Sequence, residues 1–216
     1  MNENFFVFDM DGLILNSLNK LSNCMLQAIK PYCKTKEDYE IFKAFDLENP
    51  GLSRYEKIDF LIKKNDDLNI KSQLKLKEQI LKKFDTLSLE ARMSSEIDND
   101  IYRLDRYFSP KNLVVLSNCE KLQLKKISAN FALDGIFQGG LFGTPPGKKV
   151  IYKNIINAIN KKSVCLVSDS EADALIAREF ETKFCFIRKF ARDDAPWLRY
   201  DESRFDSISQ LIQVWG

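Results

Sequence analysis

The chain has 216 residues, with 44% hydrophobic and 30% charged residues, which suits a folded globular protein and excludes disorder over its length. Its 33 basic and 31 acidic residues leave a formal net charge of +2, too balanced for a nucleic-acid-binding chain. Histidine is absent, which removes Ser-His-Asp and Cys-His catalysis, phosphohistidine chemistry and HExxH metal sites.

Residues 5–8, Phe-Phe-Val-Phe, form a short continuous apolar run ending at Asp9, with a turn at Asp11-Gly12. Such a run reads as a strand buried on both faces in a parallel sheet. Similar runs occupy 113–116, 164–167 and 184–187, and each stops at polar residues: Ser117-Asn118, Ser168-Asp169 and Arg188. Helical periodicity fills the gaps. Leu18, Leu21, Met25 and Ile29 share a helix face, as do Val150, Ile151, Ile155 and Ile159. Ser170 is placed to cap a helix running from Glu171 through Phe180. Strands alternating with helices predict an α/β fold, a doubly wound (Rossmann-like) parallel sheet with its ligand crevice at the carboxyl ends of the strands.

From Asn16 to Tyr107 this rhythm stops and helix follows helix, broken by a turn at Asn49-Pro50-Gly51. Within it, Ile70, Leu74, Leu81 and Phe84 predict the apolar face of a lysine-rich amphipathic helix. The expected organisation is a core of residues 1–15 and 108–216 with a helical cap of 16–107 inserted after the first strand. Cys24, Cys33, Cys119, Cys165 and Cys185 show no zinc-type spacing and read as reduced thiols. With no signal-like N-terminus and no apolar stretch of membrane length, the expectation is a cytoplasmic protein without membrane or nucleic-acid partners. Trp197 and Trp215 read as packing residues near the C-terminus.

The strand ends, taken together, suit phosphoryl transfer, in which an anionic nucleophile meets a dianionic ester and needs positive charge beside it. Asp9 is the candidate nucleophile, and Asp11, two residues on, the candidate general acid and base. Asp9, Asp169 and the Asp11 backbone carbonyl form a hard oxygen set suited to Mg2+. Lys148 adds a second positive charge, Ser117 a hydroxyl donor, and Gly12 a tight turn that aims backbone N–H groups at the phosphate. Arg54 and Lys57 are cap candidates for a second anionic or polar part of the substrate.

In this order the segments resemble the four motifs of the haloacid dehalogenase-like superfamily. The first is Phe-Asp9-Met-Asp11-Gly12, the second Leu-Ser117-Asn118. The third is Gly143-Thr144-Pro145-Pro146-Gly147-Lys148, and the fourth Val-Ser168-Asp169-Ser170-Glu-Ala-Asp173. The family usually has Gly where Ser168 stands. The resemblance implies phosphate binding by Ser117, Asn118 and Lys148, metal binding by Asp9, Asp11 and Asp169, and a supporting role for Asp173. An insert after the first motif is the family's type 1 cap, and the nearest pattern is that of phosphoglycolate phosphatase-like members. Residues 49–57 also look like caps of members associated with bacterial surface-polysaccharide pathways.

The implied activity is magnesium-dependent hydrolysis of a small phosphate ester (sugar, polyol or amino-alcohol phosphate) through an aspartyl-phosphate. Alternatives are a phosphomutase on a sugar phosphate, a dehalogenase, and a non-catalytic phosphometabolite-binding protein on the same fold.

Overall fold

The computed structural model describes residues 4–49, 52–64, 69–192 and 203–216. Pro50, Gly51 and Trp197, read above as turn and packing residues, lie outside them. The chain divides into two compact units, one of residues 1–18 and 95–216, the other of 19–94.

The first unit is built on a six-stranded sheet of β1 (Phe5–Phe8), β2 (Leu113–Glu120), β3 (Gly140–Thr144), β4 (Val164–Ser168), β5 (Lys183–Ile187) and β6 (Ser203–Phe205). The order is β3-β2-β1-β4-β5-β6, and every pairing is parallel. The predicted α/β doubly wound architecture is therefore present. All four predicted strands appear, and β3 and β6 are additional. Both additions sit at sheet edges, where a strand needs no unbroken apolar run.

Strand alternation sends successive side chains to opposite faces. On one face Val7, Val114, Leu116, Leu166, Phe184 and Phe186 pack against residues of two helices, Lys148–Ala158 and Glu171–Glu179. On the other, Phe6 meets Phe108 at 4.7 Å and Trp215 at 5.6 Å between ring centroids. Trp215 closes the helix Ile208–Trp215 and also packs edge-on to Phe205.

The second unit is helical. α1 (Leu18–Ile29) leads into it, and α2 (Lys36–Glu48), α3 (Arg54–Lys63) and α4 (Ile70–Met93) complete it. Met25, Ile29, Phe42, Ile58, Leu61, Ile80 and Phe84 form its interior. Reciprocal capping boxes start α2 (Thr35 with Asp38) and α3 (Ser53 with Glu56), and Asn69 caps α4. These caps satisfy backbone N–H groups that the helices cannot.

Three sequence expectations need correction. In α4, Ile70 and Leu74 are 77% and 63% exposed. Phe84 is buried and Leu81 packs against the interior as expected, but the first half of the inward stripe runs through Leu76 and Ile80, and the stripe continues with Ser88 and Arg92. Val150 likewise turns outward, while Ile151 and Ile155 are buried. The helical unit also ends earlier than residue 107. Residues Asn99–Arg106 form a 3-10 helix that buries Ile101 and Leu104 and packs on Ile208–Trp215 within the sheet-bearing unit. Among the described residues, no helix is long and apolar enough to cross a membrane.

Candidate active site

We label the remaining helices of the sheet unit α5 (Lys121–Asn130), α6 (Lys148–Ala158), α7 (Glu171–Glu179) and α8 (Ile208–Trp215). β1 is the point where the winding reverses: β2 and β3 lie to one side, β4 to β6 to the other. In such sheets the crevice opens at the carboxyl ends of the strands flanking the reversal. Phe8 is in register with Val115 of β2 and Val167 of β4. The residues that follow these three positions therefore emerge at one end of the sheet: Asp9, Ser117 with Asn118, and Asp169.

Asp9 is buried, its N–H donates to the Val167 carbonyl at 2.9 Å, and its Oδ1 accepts from Met10 N at 2.8 Å. Lys148, the first residue of α6, is buried too. Its Nζ lies 3.0 Å from Asp9 Oδ1 and 2.6 Å from Asp173 Oδ2. The hydroxyl of Ser168 also donates to Asp173 Oδ2, at 2.5 Å. Asp173 is thus placed as the carboxylate that aims Lys148 at Asp9. Lys149, next in sequence, pairs with Glu179 on the surface.

Asp169 lies beside the turn at Gly12. Gly12 has φ +86°, a left-handed conformation that favours glycine, and a Cβ there would fall 2.3 Å from Asp169 Oδ2. Glycine at this position therefore permits both the turn and the approach of the carboxylate. Ser170 caps α7, accepting from Asp173 N at 3.3 Å, which fixes the start of the helix that carries Asp173.

The charge balance of the cluster is uneven. Asp9, Asp169 and Asp173 face one ammonium, that of Lys148. Burial pushes the Asp9 carboxyl up to about 7, opposed by Lys148 and reinforced by Asp173 and Asp11. Asp169 is raised as well, first by burial and then by Asp9 and Asp173. Burial also works against the charge on Lys148, but Asp173 and Asp9 outweigh it and hold the ammonium above the usual lysine range. A cation between Asp9 and Asp169 would relieve this excess of negative charge.

A second observation agrees with that reading: Asp169 Oδ1 is buried without a hydrogen-bond partner. Among the described residues, no three or more His, Cys, Asp or Glu side chains are grouped as metal ligands. Two carboxylates and a backbone carbonyl match a hard ion that keeps most of its waters.

Ser117, in the second half of β2, is buried, and its Oγ accepts from Cys119 N at 3.0 Å. The Asn118 carbonyl accepts from Thr144 Oγ1 at 3.1 Å, tying the last residues of β2 to the end of β3. Arg54 and Lys57 lie on α3 in the helical unit and have carboxylate partners there. Lys57 Nζ donates to buried Asp46 at 2.7 Å, and Asp46 also accepts from Ser22. Arg54 lies 3.3 Å from Asp85 and against the Tyr55 ring.

Three contributors had no signal in sequence periodicity. The buried Ser17 hydroxyl donates to Asp11 Oδ1 at 2.7 Å. Thr144 braces the last residues of β2 through Asn118, and Ser168 holds Asp173. Only Ser168 carried a hint, from its place beside Asp169.

The sheet order and the inserted helical unit give this chain the fold of haloacid dehalogenase-like hydrolases. A haloacid dehalogenase-like hydrolase from Streptococcus pneumoniae superposes with a TM-score of 0.71 at 13% identity, covering 99% of each chain. A predicted phosphoglycolate phosphatase from Haemophilus somnus gives 0.70 at 15% identity, covering 99% of this chain and 98% of its own. A predicted phosphatase from Clostridium acetobutylicum gives 0.71 at 15%, covering 98% and 97%. No family model and no curated protein sequence matches the chain.

Proposed function

We propose that the protein is a magnesium-dependent phosphatase of small phosphate esters that works through an aspartyl-phosphate on Asp9. The observation that carries this reading is the buried contact of Lys148 with Asp9 at 3.0 Å, in a cluster whose acids exceed its bases. A carboxylate so placed is an oxygen nucleophile with a cation at its side, the arrangement that attack on an anionic ester requires. The likeness to solved phosphatases supports the same reading.

The steps follow from the side chains. A carboxylate oxygen of Asp9 forms a bond to phosphorus as the ester P–O bond breaks. Asp11 gives its proton to the departing alkoxide. Asp11 then accepts a proton from water, whose oxygen attacks the phosphorus, and the bond to Asp9 breaks to release phosphate. The hydrogen bond from Ser17 holds Asp11 for both transfers. Lys148 and the Ser117 hydroxyl donate to the phosphoryl oxygens. Asp9, Asp169 and the Asp11 carbonyl would hold magnesium, which supplies positive charge to the phosphoryl oxygens when bound. The proposed substrates are sugar, polyol or amino-alcohol phosphates, with surface-polysaccharide precursors as the preferred class.

The test is a panel of such esters assayed with magnesium and again with excess chelator. Phosphate should be released from at least one ester and stop when the metal is removed. Sugar 1-phosphate converted to an isomeric phosphate without free phosphate would identify a mutase instead, and turnover indifferent to chelator would remove the metal from the account.

A further inference from the structure

Asp11 sits on a ribbon of chain, residues 11–17, that is held from outside. Gly12 N donates to the Leu15 carbonyl at 2.9 Å, and Leu15 bridges both Asp11 and Ile97. Asn16 N donates to the Glu96 carbonyl and Asp98 N to the Ile14 carbonyl, each at 2.9 Å. The ribbon is thus tied to Met10, whose carbonyl accepts from Ile14 N and Leu15 N, and on its outer side to residues 96–98, so what fixes that segment bears on its position.

Asp98 is the fixed point. Its side chain is buried, and Oδ1 accepts from Asp100 N at 3.1 Å and from Lys189 Nζ at 2.9 Å. The other oxygen, Oδ2, is buried without a hydrogen-bond partner. Among the described residues, Lys189 is the cation in ion-pair range of this carboxylate. Three residues on, Arg192 donates to the Leu18 carbonyl at 2.8 Å. Leu18 adjoins Ser17, whose hydroxyl holds Asp11. The segment 189–192, which follows β5, thus holds both passages of chain beside the ribbon: Asp98, next to the Ile97 that bridges Leu15, and Leu18, next to the Ser17 that holds Asp11.

Resting on the phosphatase reading, we propose that Lys189 is a positioning residue for proton transfer, acting on Asp11 through Asp98. Loss of its ammonium leaves a buried carboxylate uncompensated at the root of the ribbon. A displacement of about 1 Å in an acid/base group costs up to about a hundredfold in rate. The effect belongs to the proton-transfer steps and not to binding. It therefore differs between esters: an alkyl leaving group needs the Asp11 proton, whereas p-nitrophenolate does not.

The experiment compares wild type, Lys189→Met, Lys189→Arg and Asp98→Asn with magnesium present. Amide hydrogen exchange is followed in peptides spanning residues 10–18 and 95–99, and rapid-quench kinetics with an alkyl phosphate and with p-nitrophenyl phosphate. Lys189→Met and Asp98→Asn should accelerate exchange in those peptides and not in β4 or β5, and Lys189→Arg should restore protection. Lys189→Met should lower kcat for the alkyl ester by about tenfold with KM nearly unchanged, within the range set by a small displacement. With p-nitrophenyl phosphate it should leave the first turnover intact and give a stoichiometric burst, because Asp11 is then needed only to hydrolyse the aspartyl-phosphate. Unchanged exchange in the two peptides, or equal slowing of the first turnover for both esters, overturns the proposal. If wild type hydrolyses no ester, the phosphatase reading falls, and the exchange comparison alone decides whether Lys189 fixes the ribbon.

Discussion

Asp9→Asn is expected to lower phosphate release by more than about a thousandfold, the scale of loss when the nucleophile of a covalent mechanism is removed. The fold should survive, because the amide matches the carboxylate in shape and Asp9 is held through its backbone to Val167. Stability should move in an informative direction. The Asp9 carboxyl titrates at about 7 in the folded chain, up from an ordinary 3.8, chiefly through burial. A raised value means that the protonated form favours folding. That contribution is complete below pH 3.8 and is lost as the pH rises through about 7. In metal-free buffer the variant should therefore melt no lower than wild type at pH 8, with the gap in its favour shrinking towards pH 5. Thermal melts across this range check the sign. A variant much less stable at pH 8 would mean that the Asp9 charge is favourably solvated there, against the crowding by Asp169 and Asp173.

Lys148→Met should fail in both respects. Methionine fills similar length but leaves Asp9 and Asp173 without their shared cation, 3.0 Å and 2.6 Å away. Breaking a buried pair from one side costs about 3–5 kcal/mol, which at about 2–4 °C per kcal/mol for a chain of this size is roughly a 10 °C fall in Tm. Loss of an electrostatic donor aimed at the phosphoryl group costs about a hundredfold to a thousandfold in kcat. The stability deficit should ease as the pH falls, because the carboxylates can then protonate. Lys149→Met is the control. Its partner Glu179 is exposed, and surface pairs contribute about 0–1 kcal/mol. Equal behaviour of the two variants would contradict the assignment of Lys148.

The contrast between these neighbouring lysines shows what the sequence made legible. Lys148 is legible because it opens a helix after Pro-Gly, and Asp9, Ser117 and Asp169 because each stands at the end of an apolar run. A strand buried on both faces leaves a continuous hydrophobic signal, and its polar terminus stands out against it. The edge strands β3 and β6 carry no such signal. Gly140–Thr144 contains two glycines, and Ser203–Phe205 has only Phe205 buried. In α4 the apolar Ile70 and Leu74 point outward, while the polar Ser88 and Arg92 are buried. Hydropathy alone cannot register a polar residue that is buried with partners. Ser17 and Lys189 were invisible for a related reason. Their significance lies in contacts to Asp11 and Asp98, and the second pair is separated by 91 positions in the chain.

In the proposed reaction Asp9 becomes phosphorylated during turnover. The most direct measurement is to quench the enzyme in acid during steady turnover of its best ester, reduce it with borohydride, and map the peptides by mass spectrometry. Reduction converts an aspartyl-phosphate to homoserine. Homoserine is expected at position 9 in a substrate-dependent manner, with Asp11 and Asp169 unchanged. Active enzyme that yields homoserine at another aspartate, or at none while the intermediate is demonstrably stable to the quench, would contradict it.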